Sequence, residues 1–259
     1  MVSASPALAC GKDTNCEIGN RFYRVKMPEG HDGKSPVGAV IFAHGYRGSA
    51  DGVMANEALL KAVSDLGLAL IAVKSAGPDW LIANAPSQDP SEDFVEIQYF
   101  DAVIADLEKR FPIDPAQLMM TGFSAGGMIT WTLACERGDR FAGFAPMAGT
   151  FWAPIPESCP SAPTNVIHFH GAKDDVVPLT GRAIETTRQG NVFDVLKRYA
   201  MQGGFKGEER STPLDLQCLT SENKDGKRLE FCLHGGGHEF TASYVVYAWD
   251  RLRRIGAVN

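Results

Sequence analysis

The sequence predicts an α/β protein whose central sheet is mostly parallel and carries helices on both faces. Near-continuous apolar runs such as Val37–Ala43 and Leu68–Val73 read as strands covered on both sides, and segments of helical period lie between them. This β-α-β order repeats along 259 residues without a stretch that reads as a linker. In such a sheet the loops at the strand C-termini hold the ligand.

The first strand is expected at Phe22–Met27, and the second, Val37–Ala43, ends at His44-Gly45-Tyr46. Val53, Met54, Ala58, Leu59, Ala62 and Val63 recur at helical spacing, so one helix is expected over Gly52–Asp65, with Gly67 before the next strand, Leu68–Val73. A loop rich in Pro, Ser and Asp from Gly77 to Pro90 precedes a helix at Phe94–Arg110 and a strand around Leu118-Met119-Met120. After the turn Gly122-Phe123-Ser124-Ala125-Gly126 the chain enters a helix through Gly127 to Ala134. Strands at Phe141–Met147, Asn165–His170 and, last, Leu229–Leu233 alternate with helices at Phe193–Met201 and Thr241–Ile255.

Composition narrows the function classes. The net charge of -6 and the absence of a dense Lys/Arg stripe argue against a nucleic-acid partner, and Arg251, Arg253 and Arg254 fit a solvated helix end. No apolar run approaches the ~20 residues of a membrane span, so a soluble protein is expected. Six cysteines form no C-x-x-C and fall into three sequence-local pairs. Among the fifteen connectivities open to six cysteines, disulfides Cys10–Cys16, Cys135–Cys159 and Cys218–Cys232 are expected, rather than a metal site. Ala7-Leu8-Ala9 has the form of the end of a secretory signal, so residues 1–15 read as an N-terminal segment, residues 16–259 as a single domain, and the location as secreted or periplasmic.

The chemistry centres on Ser124. Small residues on either side let the backbone turn sharply enough to present a serine hydroxyl above the sheet edge, although a Gly-rich turn with a helix-capping serine gives the same pattern. A hydroxyl is a weak nucleophile at neutral pH and needs a base and an oriented carboxylate. The loop after the strand at 165–170 offers two neighbouring acids, Asp174 and Asp175. Gly235-Gly236-Gly237-His238 offers an imidazole on a flexible loop before the last helix. Of the other histidines, His31 lies in a polar loop, His168 and His234 lie near strand ends, and His44 and His170 stand before glycines where an imidazole braces a loop. Oxyanion donors are expected from the backbone N–H of Ala125, which follows the serine, and of Tyr46, after the first central strand. Trp80 and Trp152 lie on loops and are candidates for stacking against substrate.

His44-Gly45-Tyr46, Gly122 to Met128, His170-Gly171 through Asp174 to Val177-Pro178, and Gly235 to His238 occur in that order. In this the chain resembles secreted polyhydroxybutyrate-depolymerase-like and feruloyl-esterase-like α/β-hydrolases from about Cys16 to the C-terminal helix. The resemblance implies an α/β-hydrolase fold and a serine esterase working through an acyl-enzyme, with no metal or organic cofactor. It implies Asp174, rather than Asp175, as the acid and His238 as the base of a Ser124 triad. The substrate would be a small ester, a polyester or a polysaccharide ester, from hydroxyalkanoate chains to feruloyl or acetyl groups. A serine peptidase of the same fold, and a non-catalytic binding protein that keeps it, are the competing readings. Two departures lie at the rim of the expected cleft: Gly237-His238-Glu239-Phe240-Thr241 replaces the G-G-G-H-x-W-P-G form, and Tyr46-Arg47-Gly48-Ser49 replaces a run of glycines.

Overall fold

The computed structural model describes residues 10–87 and 95–259. Ten strands form one twisted sheet in the order β1-β2-β4-β3-β5-β6-β7-β12-β11-β10. Its middle is the parallel set β4 (Ala69–Val73), β3 (Val37–Ala43), β5 (Ile113–Phe123), β6 (Gly143–Met147), β7 (Val166–Gly171) and β12 (Arg228–His234). Antiparallel strands extend both sides: β1 (Cys16–Ile18) and β2 (Arg21–Lys26) beyond β4, β11 (Leu216–Glu222) and β10 (Lys206–Ser211) beyond β12. A separate small hairpin pairs β8 (Ala183–Ile184) with β9 (Thr187–Arg188).

Strand β3 shows how the sequence builds two cores. Ala39, Ile41 and Ala43 face one apolar cluster, while Val40 and Phe42 face the other. Successive side chains point to opposite sides of a sheet, so a strand covered on both faces must be apolar throughout. The first face packs α3 (Val95–Arg110), α4 (Ala125–Glu136) and α5 (Val192–Gly203) through Val103, Trp131 and Tyr199. The second packs α1 (Ala50–Met54), α2 (Glu57–Asp65) and α6 (Ala242–Arg254) through Val53, Leu59 and Trp249. Helix α4 is buried almost all round, from Ala125 to Cys135, which holds the turn before it firmly against the sheet.

Besides the β8–β9 hairpin, four features differ from the sequence reading. The helix expected over Gly52–Asp65 is two, because the Asn56 side chain accepts the Leu59 N–H and caps a new helix after α1 has ended. Strands β10 and β11 follow α5 where none was expected. Lys206, Glu208, Glu209 and Arg210 give β10 no apolar signal, and such charges suit an edge strand because they discourage pairing with another chain. The short β1 was also unexpected; it pairs with β2 beside a disulfide. Cys10 is itself buried in the core, so the folded unit includes residues before the expected boundary at residue 16. Ala7-Leu8-Ala9, the end of the Gly77–Pro90 loop and the expected helix start at Phe94 lie outside the described residues.

All six cysteines pair as expected: Cys10–Cys16, Cys135–Cys159 and Cys218–Cys232. The last joins directly opposed positions on β11 and β12, and the second ties the end of α4 to the segment before β7. A cross-link restricts the unfolded chain more as the loop it closes lengthens. Removing the 24-residue link with Cys135→Ala/Cys159→Ala is therefore expected to cost about 3 kcal/mol, measurable by urea unfolding. Removing the six-residue Cys10–Cys16 link should cost less.

Candidate active site

Strand β5 ends at Phe123 and α4 begins at Ala125, leaving Ser124 alone in the turn at φ 61°, ψ -120°. A non-glycine residue adopts such a conformation only when its surroundings dictate it. Here the Ser124 N–H donates to Met147 O at 2.9 Å, and a Cβ built on Gly126 would stand 2.0 Å from Ala43 O. On Gly122 it would meet Gly126 O at 2.4 Å. The turn therefore closes only with glycine at both places. Although Ser124 occupies the N-cap position of α4, its side chain makes no capping hydrogen bond. Its hydroxyl is instead paired with a histidine.

That histidine is His238, whose Nε2 lies 2.9 Å from Ser124 Oγ. Its Nδ1–H donates to Asp174 Oδ2 at 2.8 Å, which leaves the Nε2 lone pair for the serine proton. The second carboxylate oxygen accepts the Val176 and Val177 N–H groups at 3.0 and 2.7 Å. Burial pushes the Asp174 carboxyl up, but the bonds from His238 and Val177 outweigh it and hold the group below the ordinary carboxylate value. Asp175 is exposed. The two loops carrying these groups are laced together: the Ala172 N–H donates to His234 O at 2.8 Å and the Lys173 N–H to Gly236 O at 2.9 Å. A Cβ at Gly171 would lie 2.0 Å from Gly237 O, so glycine is required there as well.

Aromatic contacts fix the imidazole from its other side. Phe123 packs on His238 with ring centres 4.7 Å apart, and Phe240 packs on Phe123 and Phe42 at 5.1 and 5.5 Å. Phe240 thus anchors the loop in which the Trp-Pro-Gly continuation is missing. Sequence reasoning passed over these phenylalanines, whose one signal was adjacency to the serine and close spacing after the histidine.

Ser124 opens on a cavity of about 470 Å³ whose wall includes Ala125, Tyr46, Met128, Trp152, Asp79 and Gln189. A larger groove, about 1060 Å³, lies by Phe141 and Thr164, at the opposite ends of β6 and β7. Ligands of parallel sheets bind at the strand C-termini, so the Ser124 cavity is the relevant one. Both expected oxyanion residues and Trp152 reach this cavity. Tyr46 is 56% exposed, with the Arg47 guanidinium 5.1 Å from its ring centre.

Trp80 does not reach it. The ring is fully buried, its Nε1–H donates to His44 O at 2.8 Å, and it packs on His44 and Phe100. It therefore supports the loop after β3 from behind, and the expected substrate contact is corrected to a structural one. His44 braces the same loop, donating from Nδ1 to Gly45 O at 2.8 Å and accepting the Ser75 N–H at Nε2. Burial lowers its pKa to about 4, so it is neutral at pH 7. Asp79, which the sequence reading passed over for its neighbour Trp80, stands in the cavity wall, and burial raises its pKa to about 6 against the opposing Trp80 N–H bond. Among the described residues the group able to share a metal is Cys218, Glu230 and Cys232, but its two sulfurs are joined in a disulfide and offer no thiolate.

Residues 31–197, more than half of the chain, match the Phospholipase/Carboxylesterase family. The chain belongs to this family. It is accordingly a carboxylic ester hydrolase by class. Feruloyl esterase B of Piromyces equi is 27% identical over 229 residues, covering 83% of the chain and 42% of that protein. Feruloyl esterase C of Emericella nidulans is 26% identical over 184 residues, covering 66% of the chain and 63% of that protein. The chain thus spans less than two thirds of either relative. The acetyl xylan esterase of Aspergillus awamori superposes with a TM-score of 0.63 at 14% identity, covering 92% of the chain and 95% of that structure, a likeness of α/β-hydrolase fold.

Asp79 gives the cavity a pH-dependent charge. It is protonated and neutral below about pH 6 and a carboxylate above. The KM for an ester bearing a free carboxylate, relative to its neutral methyl-capped analogue, is expected to rise as pH passes through 6. Asp79→Asn should flatten that rise in a steady-state pH series.

Proposed function

We propose that the chain is an extracellular serine esterase of the feruloyl-esterase-like type, acting on aryl-acyl or other small-acyl esters. The observation that carries the reading is the unbroken hydrogen-bonded series from Ser124 Oγ through His238 to Asp174 at the mouth of the cavity. Ser124 Oγ attacks the ester carbonyl carbon while its proton passes to His238 Nε2. The carbonyl oxygen becomes an oxyanion, held by the Ala125 and Tyr46 N–H groups. Asp174 steadies the imidazolium. His238 then gives the proton to the departing alcohol oxygen as the C–O bond breaks, leaving an acyl-Ser124 ester. Water repeats the sequence: His238 takes its proton, the hydroxyl adds to the acyl carbon, and the proton returns to Ser124 Oγ as the acid leaves.

Trp152 and Met128 supply a flat and a deformable apolar surface for an acyl group, and the feruloyl esterases among the relatives support an aromatic one. Three disulfides suit an oxidising compartment outside the cytosol. A peptidase reading is separated by comparing an aryl ester with its matched amide.

Ser124→Ala should lower kcat on methyl ferulate or an aryl acetate by on the order of 10⁵-fold or more while leaving the thermal transition intact. Asp174→Asn should cost about 10⁴-fold through the wrong imidazole tautomer. Unchanged hydrolysis by the Ser124 variant would overturn the mechanism. For the substrate, kcat/KM across methyl ferulate, acetylated xylan, hydroxybutyrate oligomers and short aryl esters is expected to favour the aryl-acyl ester, and preference for the hydroxybutyrate oligomers would reject that assignment.

A further inference from the structure

Behind Asp174 lies a second set of hydrogen bonds that the proposed chemistry does not use. Trp131 of α4 and His168 and His170 of β7 are wholly buried. Trp131 Nε1 lies 3.1 Å from His168 Nδ1, His168 Nε2 lies 2.9 Å from His170 Nδ1, and His170 Nε2 lies 2.7 Å from Val177 O. An indole N–H can only donate. His168 must therefore accept at Nδ1 and, when neutral, carry its proton on Nε2. It donates that proton to His170 Nδ1, so His170 in turn carries its proton on Nε2 and gives it to Val177 O.

We propose that Trp131 and His168 act as positioning residues that lock His170 in the neutral Nε2–H form and so reserve Asp174 for His238. The proposal rests on the Ser124-His238-Asp174 reading above. His170 Nε2 is 3.5 Å from the same Asp174 oxygen that His238 uses. A charged His170 would compete with the imidazolium that forms on His238. Val177 also links the two systems, since its carbonyl takes the His170 proton bond and its N–H binds Asp174.

The lock follows from direction. A second proton on His170 would sit on Nδ1 and point at the His168 N–H. For His168 to make way, its own proton would have to move to Nδ1, where it would meet the Trp131 N–H, which has no lone pair to offer. Burial acts in the same sense, lowering the pKa of both imidazoles, although for His170 the Val177 carbonyl and the Asp174 charge oppose it. The other ionisable groups facing His170 are His238 and His234, from the loop after β12 and its end; Phe231 of β12 stacks on His168.

The test reads the tautomers directly. Long-range ¹H–¹⁵N spectra of the ¹⁵N-labelled wild-type protein should show His168 and His170 neutral and Nε2-protonated between about pH 5 and 8, the window in which imidazoles usually titrate. A His170 that titrates there, or carries its proton on Nδ1, overturns the proposal whether or not the protein hydrolyses esters. In folded His168→Leu, His170 should titrate or change tautomer. The same variant should lose kcat by about 10- to 100-fold with KM unchanged, and its acid limb should move. His168→Gln, whose carbonyl can accept from Trp131 and whose amide can donate to His170, should restore both readouts. A folded His168→Leu enzyme with the wild-type pH profile and the wild-type His170 tautomer would reject the lock.

Discussion

The site depends on one close approach of backbone to backbone. At Gly126 there is no room for a Cβ, because Ala43 O occupies the place, and at Gly122 the Gly126 carbonyl does. Those contacts bring the end of β5, the start of α4 and the end of β3 together, and they leave Ser124 in a backbone region that costs of the order of 1–3 kcal/mol for such a residue. Burial of α4 on nearly every side offsets this strain. The serine is exposed to the cavity because the structure around it cannot relax.

The same device recurs at Asp174 and His238. Gly171 allows the loop after β7 to lie against Gly237, and two backbone hydrogen bonds then fix the spacing between the loops. Asp174 and His238 are 64 residues apart in the chain, yet their separation is set by main-chain contacts rather than by the side chains themselves. Phe123 on the far side of the imidazole removes the remaining freedom. Positioning of this kind means that little reorganisation is needed as charge develops.

How much of this is legible in the sequence depends on which neighbours set the structure. β3 could be read to the residue, since a strand buried on both faces is written in apolar side chains alone. The glycines at 122, 126 and 171 could be read as turn residues, but at 126 and 171 the carbonyls that exclude a Cβ, those of Ala43 and Gly237, come from a distant strand and loop. The edge strand β10 carries charges for reasons of pairing control, so it leaves no apolar signature. Trp80 misled for a related reason. Its Pro-rich loop setting suggests exposure, whereas the fold lays His44 and Phe100 against it and turns it into packing.

The two departures from the resembling family's motifs now separate into different kinds. Phe240 completes an aromatic stack with Phe123 and Phe42, and the Glu239 carboxylate approaches His234 Nδ1 at 3.7 Å, so this segment holds the histidine loop. Tyr46 instead stands at the cavity, with Arg47 turned to φ 58° beside it and held by a 2.7 Å bond from its N–H to Pro78 O. Pro78 precedes Asp79, so the loop after β3 and the acidic wall of the cavity are one connected piece, supported from below by Trp80 and His44. That piece and Trp152 line the same Ser124 cavity, while the segment after His238 packs through Phe240 behind the imidazole.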